Sequence, residues 1–392
     1  MEARLEVITD VTRWHAIEDA WRTLYAASPS ASPPLSWEWT TLWWDVYGER
    51  YGAGDDPLRI ACVWRGDTLV AAMPLYIGTT GCRIRGTCVR FLSTGEQEFE
   101  ETCADYLDLL YLPGEADAAL DLLLTGLNQR PNCVYLHAVS ADSPLVSRMA
   151  ALGQAGWWPR SSSLGPCYAL DLSEGYEAWL ATLGKTSRRS SRRSLEQSVE
   201  VGAVYERARS VEQALAIYDD LAELHQKRWE ARGKPGCFAA PRFTEFHRRL
   251  IEALGPERAI LSVLRCDGQP VAANYGFLVG TKLDCYQAGT LAGPDVAVKS
   301  AGIAGYMHLI RDLAEEGVTC LDFLLGSAPH KERLCRPAGE LMKLSASYPG
   351  FRSALCHLRE SASDWRRRRA ARAAEQQTSQ PAPAADGPSD NP

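Results

Sequence analysis

The chain predicts an α/β protein of the α+β type: two tandem domains, each a mixed, mostly antiparallel sheet flanked by helices. Three observations carry that expectation. At 392 residues the chain is too long for one ordinary core, so two domains is the natural division. Apolar stretches of helical period alternate with short strand-like runs joined by Gly-containing turns, which is an α/β layer rather than a bundle or barrel. The two halves also repeat one order of elements, which points to duplication, although no identity between them is visible.

In the first half, residues 11–26 set Trp14, Ile17, Trp21, Leu24 and Tyr25 at helical spacing. The serine- and proline-rich stretch 28–34 reads as a loop. Residues 37–47 read as a short helix carrying Trp37, Trp39, Trp43 and Trp44. Four tryptophans could form a stacking platform for a sugar or base, but the buried face of a helix is the simpler expectation. Residues 58–64 and 69–77, joined at Gly66-Asp67, make a hairpin. Residues 89–92 and 106–111 follow as strands on either side of an acidic loop at 96–101. A helix at 116–127, a strand at 133–138 and a helix at 144–153 complete the half.

The second half repeats this with helices at 211–232 and 241–253, a strand at 260–266, the turn Asp267-Gly268, and strands at 271–279 and 282–288. A helix at 300–316 ends at Gly317, where positive φ is tolerated. A strand at 319–325, a segment at 328–334 and strands near 341–347 and 351–358 close it. The division expected is 1–165, 166–360 and a disordered tail 361–392, whose Ala/Gln/Ser/Pro/Asp composition cannot fill a core. The joint should fall near 160–175, where Ser161-Ser162-Ser163 and Gly165-Pro166 break the pattern. A continuous sheet across that joint would contradict two separate domains.

Composition narrows the function. Apolar residues make up 46% and charged residues 23%, so most of the chain can fold. A net charge of −7 argues against a protein built to wrap DNA. No apolar run approaches the ~20 residues of a membrane span, and the start has no apolar leader segment, so a cytoplasmic protein is expected. The 12 cysteines form no CxxC pair, so reduced structural thiols are expected and no metal site. Walker, GxSxG and HExxH signatures are absent. The basic run at 185–193 covers one broad face with Arg188, Arg189, Arg192 and Arg193. It is either a solvated face or a contact to an anionic group of a ligand or polymer. The cluster at 366–369 reads as a solvated helix end.

One unit can carry chemistry: the strand, loop and helix that span 284–316. Small residues at the helix start, Lys299-Ser300-Ala301-Gly302-Ile303-Ala304-Gly305, let a ligand approach unpaired N–H groups, and Lys299 adds a charge suited to a pyrophosphate. This segment resembles the pyrophosphate loop of the GNAT acyltransferase superfamily, Gln/Arg-x-x-Gly-x-Gly/Ala, with Lys299 first, Gly302 fourth and Ala304 sixth. The wider pattern resembles the CelD-type (cellulose-biosynthesis-type) acetyltransferases with Fem-like tandem domains. The residues that carry it are Ser36-Trp37-Glu38-Trp39, Trp43-Trp44, Met73-Pro74-Leu75, Asp105-Tyr106 and Asp108 in the first half. In the second they are His225, Arg228-Trp229, Gly236-Cys237-Phe238, the run from Asp267 to Ala273, and Asp322-Phe323-Leu324-Leu325-Gly326 with Lys331. Lys299 departs from the usual Gln or Arg.

The resemblance implies direct acyl transfer from acetyl-CoA or another acyl-CoA to an amine of a small metabolite or cell-envelope (polysaccharide) precursor. It also implies a pyrophosphate grip at Lys299, Ser300, Ala301, Gly302 and Ala304. A Fem-like aminoacyl-tRNA-dependent transferase and a non-catalytic binding module in polysaccharide synthesis are the alternatives. The acceptor should lie between the halves, near Asp105, Tyr106, Arg228, Trp229, Gln287 and Lys331. The acid–base candidates are His225, which titrates near neutrality, and Asp322, costly to bury in an apolar strand without a partner. Lys331, nine residues on, is the expected salt-bridge partner of Asp322.

Overall fold

The computed structural model of the chain describes residues 2–79, 86–127, 133–291, 293 and 296–350. The strand expected at 351–358, the tail 361–392 and the cluster at 366–369 lie outside the described residues. The amino half runs β1 (Ala3–Ile8), α1 (Val11–His15), α2 (Glu18–Ala27), α3 (Trp37–Tyr51), β2 (Leu58–Arg65), β3 (Thr68–Thr79), β4 (Thr87–Phe91), the two-residue β5 (Leu110–Tyr111), α4 (Ala116–Leu127), β6 (Cys133–Ser140) and α5 (Pro144–Ala151). The long strand β7 (Trp158–Asp171) follows. The carboxyl half runs α6 (Tyr176–Thr182), α7 (Lys185–Glu200), β8 (Val204–Arg207), α8 (Val211–Glu230), α9 (Pro241–Leu254), β9 (Ala259–Cys266), β10 (Gln269–Val279), β11 (Lys282–Thr290), α10 (Ala301–Glu315), β12 (Cys320–Leu325), α11 (Pro329–Leu334) and β13 (Arg336–Ser347).

Local chemistry accounts for several of these. Ser36 caps α3 by accepting the N–H of Trp39, and Trp39 and Trp43 are then fully buried. Their indole N–H groups donate to Ser93 and Glu96, both at 2.7 Å. The tryptophan helix is therefore a buried face. The helix expected over 11–26 is broken at Ile17, whose backbone (φ −106, ψ 13) separates α1 from α2. The strand expected at 106–111 shrinks to β5. Tyr106 has φ 60, outside the strand region, and its carbonyl accepts the Ser32 hydroxyl at 2.8 Å instead of a ladder bond.

The strands form one 13-stranded sheet in the order β1-β2-β3-β4-β6-β13-β7-β12-β11-β10-β9-β8, with β5 paired to β3. Each half contributes three antiparallel pairs and then one parallel pair, β4–β6 in the first and β11–β12 in the second. The last strands are exchanged. β7, which ends the amino half, pairs with β12, while β13 pairs with β6, and the two pair with each other.

This corrects the division at 165/166 and the joint expected near 160–175. Ser161, Ser162 and Ser163 lie in β7 opposite Leu344, Lys343 and Met342. A serine run with weak strand propensity becomes a strand because the ladder to β13 satisfies its backbone. The halves therefore share one mixed sheet flanked by helices, and their duplication lies in strand order rather than in separate sheets.

Candidate functional site

The two parallel strands β11 and β12 pair only across Lys282 with Cys320, Leu283 with Leu321, and Asp284 with Asp322. Beyond that point they part, although β11 continues to Thr290 and β12 to Leu325. The β12 side of the fork is held open from its own end. Asp322 Oδ1 accepts the Leu324 N–H at 2.8 Å, and Asp105 Oδ2, from the amino half, accepts the Leu325 N–H at 2.9 Å. Lys331 Nζ donates to the carbonyls of Leu324 (3.3 Å) and Leu325 (2.9 Å). Leu324 itself sits at φ 61, a strained backbone conformation for a leucine.

A buried polar cluster sits at the base of the fork. Lys282 and Asp284, two apart on β11, share one face of the strand. The Lys282 ammonium lies 3.0 Å from Asp284 Oδ1 and 2.9 Å from Asp322 Oδ2. Tyr106, reaching across from the amino half, donates its hydroxyl to Asp322 Oδ2 at 2.7 Å, and its ring lies 4.3 Å from the Lys282 ammonium. Asp322 is thus paired with Lys282, not with Lys331 as expected, because Lys282 stands diagonally across the β11–β12 ladder from it while Lys331 is spent on backbone carbonyls.

Burial dominates the electrostatics. It pushes the Asp284 carboxyl up to about 7, with the nearby Asp322 charge adding and Lys282 opposing. Asp105 is raised to about 6, again chiefly by burial. Burial opposes the charge on Lys282, but Asp284 and Asp322 outweigh it and hold the ammonium protonated above its usual range.

Lys282, Asp284 and Tyr106 line one end of a cleft of about 340 Å³ between the halves. The amino half supplies the other walls, including Ser30, Ser32, Asp108, Tyr111, Asp142 and Ser143. Asp284 also borders a narrow gap beside Asp105, Tyr286 and Leu324, so it stands where the cleft meets the fork.

The remaining expected residues gather elsewhere. His225, buried on α8, accepts the Trp229 indole N–H on Nε2 at 2.7 Å, which places its own proton on Nδ1. Cys237 Sγ is 3.9 Å from the same nitrogen, and Gln287 Nε2 is 3.8 Å from that sulfur. Burial lowers the His225 pKa to about 4. α8 packs closely on β11 at Gly289, where a Cβ would meet Leu224 Cβ at 2.8 Å. Arg228 is exposed on α8. No hydrogen bond or ion pair among the described residues joins the His225 group to Asp322.

At the α10 start, Lys299 and Ser300 are exposed, and Ser300 adopts a left-handed conformation without capping the helix through its side chain. A Cβ at Gly302 would meet Thr290 at 3.4 Å and beyond, an ordinary contact, while Ala301 and Ala304 beside it are buried. The arginine run forms α7, which lies antiparallel along α10. Ser198 meets His308 at 3.0 Å, while Arg192 and Arg311 both approach Tyr176. The arginines therefore flank the far half of α10, away from Lys299.

Sequence reasoning missed Lys282 and Asp284. The signal was present, a Lys-x-Asp pair on one face of an otherwise apolar strand. Among the described residues, no group of His, Cys, Asp and Glu could hold a metal ion, and no helix is long and apolar enough to cross a membrane.

Residues 185–332, under half of the chain, match the family model described as acetyltransferase (GNAT) domain. Among solved structures the chain is similar to FemX, with TM-score 0.58 and 10% identity, covering 88% of this chain and 97% of that one. It also aligns with L-PGS from Bacillus licheniformis (TM-score 0.46, 12% identity, 81% and 94% covered). A tandem GNAT protein from the clavulanic acid biosynthesis pathway aligns at TM-score 0.42 and 13% identity, with 89% and 99% covered. At these identities the FemX likeness shows the fold alone. No curated protein sequence matches the chain.

Proposed function

We propose that the protein is an acyl-CoA-dependent N-acyltransferase that acts on the amine of a small acceptor bound in the cleft between its halves. The observation that carries this reading is the position of Asp284, the last residue of β11 paired with β12, at the point where the fork meets the cleft. An acyl thioester laid into the fork would supply the electrophilic carbonyl. Exposed Lys299 and Ser300, and the uncapped N–H groups of Ala301 and Gly302 in the first turn, suit the pyrophosphate, whereas Ala304 is buried and its N–H is spent on the Ser300 carbonyl.

Asp284 is the base in this reading, in place of His225 or Asp322. An amine arriving as ammonium passes one proton to the Asp284 carboxylate and attacks the carbonyl carbon. The C–N bond forms, the C–S bond breaks, and the second proton lost by the attacking nitrogen ends on the departing thiolate as the amide forms. The oxygens of Asp322 are occupied by Lys282, Tyr106 and the Leu324 N–H, so it positions those groups rather than taking a proton. Asp105 and Lys331 hold the fork open.

The exposed basic face of α7 favours one second reading, an aminoacyl-tRNA donor. Calorimetry with acetyl-CoA and filter retention of charged tRNA separate the two. Binding of acetyl-CoA without tRNA retention is expected. Salt-sensitive tRNA retention with no CoA binding would overturn the acyl-CoA reading.

A further inference from the structure

The cleft has a second acidic wall that proton removal at Asp284 does not use. Asp108, only 7% exposed, lines it from the amino half. Its Oδ1 accepts the Leu109 N–H and the Ser143 hydroxyl, both at 2.8 Å. No hydrogen bond among the described residues reaches its Oδ2. With Oδ1 spent on two donors, Oδ2 is the oxygen left to meet a ligand's donor from the cleft. Asp142 stands exposed at the rim, and its carboxylate has no ion pair among the described residues.

The hydroxyls of the same wall give an independent indication of what the ligand offers. Ser30 donates to the Leu109 carbonyl at 2.5 Å, Ser32 to the Tyr106 carbonyl at 2.8 Å, and Ser143 to Asp108. Each hydroxyl proton points into the protein, so lone pairs face the cleft. These three serines and the two carboxylates turn acceptors toward the cleft, which suits an ammonium, while Tyr111 and Ser140 complete the wall with hydroxyls. Among the described residues Lys282 is the one cation lining the cleft, and it is committed to Asp284 and Asp322.

From this, and resting on the acyl-transfer reading, we propose that the acceptor is a short dication. One amino group is acylated at Asp284, and a second, retained ammonium is held by Asp108 and Asp142. A cleft of about 340 Å³ lies at the small end of ligand sites, which limits the spacer to a short chain.

Calorimetry on the full chain, without acyl donor, tests this with 1,4-diaminobutane against butylamine. The diamine is expected to bind about tenfold or more tightly, as one added charge-assisted contact implies. Asp142→Asn and Asp108→Asn should each bring the two ligands toward parity; Asp142→Asn, at an exposed position, serves as the variant least able to disturb folding. Equal binding of the two amines, no binding of the diamine, or a preference unchanged in both variants would overturn the proposal. Acylation of butylamine with no diamine preference would leave the acyl-transfer reading standing while removing this one. Diamine binding with no acylation by any acyl-CoA would do the reverse.

Discussion

Asp284 and Asp322 are the same residue type, opposite each other in one ladder, yet their surroundings assign them different work. Both oxygens of Asp322 are taken by donors, whereas Asp284 meets only Lys282 and faces the cleft. Burial holds Asp284 protonated up to about pH 7, so its base form, and with it kcat/KM, should rise as pH increases through about 7. Asp284→Asn is expected to lower kcat roughly 10²-fold and to abolish that acidic limb. His225→Ala should keep the limb, since the His225 pKa lies at about 4 and its Nε2 is already occupied by Trp229. A pH–rate profile of the three proteins checks this. An acidic limb that persists in Asp284→Asn and vanishes in His225→Ala would return the role of base to the histidine.

At the scale of elements, the unit that matters is β11, the loop after it and α10. The parting of β11 from β12 opens the fork, and α10 begins with N–H groups that no side chain caps. Gly302→Ala should retain acyl-CoA binding, because its methyl meets Thr290 at an ordinary contact distance. Gly302→Glu should abolish binding by placing bulk and negative charge where phosphate must approach. Lys299→Ala should weaken binding by roughly 1 to 3 kcal/mol, the worth of one hydrogen bond to a charged group. Calorimetric titration with acetyl-CoA decides it, with circular dichroism confirming the fold. Unchanged affinity in the glutamate variant would exclude α10 as the pyrophosphate site.

At the scale of the molecule, exchanged strands tie the halves together. β13 cannot leave the sheet without stripping both β6 and β7 of a partner. A second tie is Glu38 on α3, which accepts two hydrogen bonds from Arg258 of the carboxyl half (2.9 and 2.8 Å) and one from Arg22 (2.8 Å). Burial opposes the Glu38 charge, yet the two arginines hold the carboxyl down to about 2. Scanning calorimetry should therefore show one unfolding transition. Glu38→Gln should lower its midpoint without splitting it, at a cost of about 1 to 2 kcal/mol, discounted because both arginines remain about 40% exposed. Two resolved transitions would show that the halves unfold independently and that the shared sheet is no cooperative unit.

The sequence by itself determined most elements, since periodicity and turn chemistry are local. The hairpins at Gly66-Asp67 and Asp267-Gly268, the buried tryptophan face of α3 and the start of α10 all follow from neighbouring residues. It also points to Asp105 and Tyr106 through a resemblance, and to Asp322 through the cost of burying a carboxylate in an apolar strand as well. Tertiary structure alone decided that the serine run at 161–163 is a strand, because its ladder partners in β13 lie far along the chain. It alone chose Lys282 over Lys331 as the partner of Asp322 and brought Tyr106 onto the same carboxylate. Strand pairing and ion pairing are long-range contacts, and a residue's place in the chain does not state which distant group will supply its hydrogen bond.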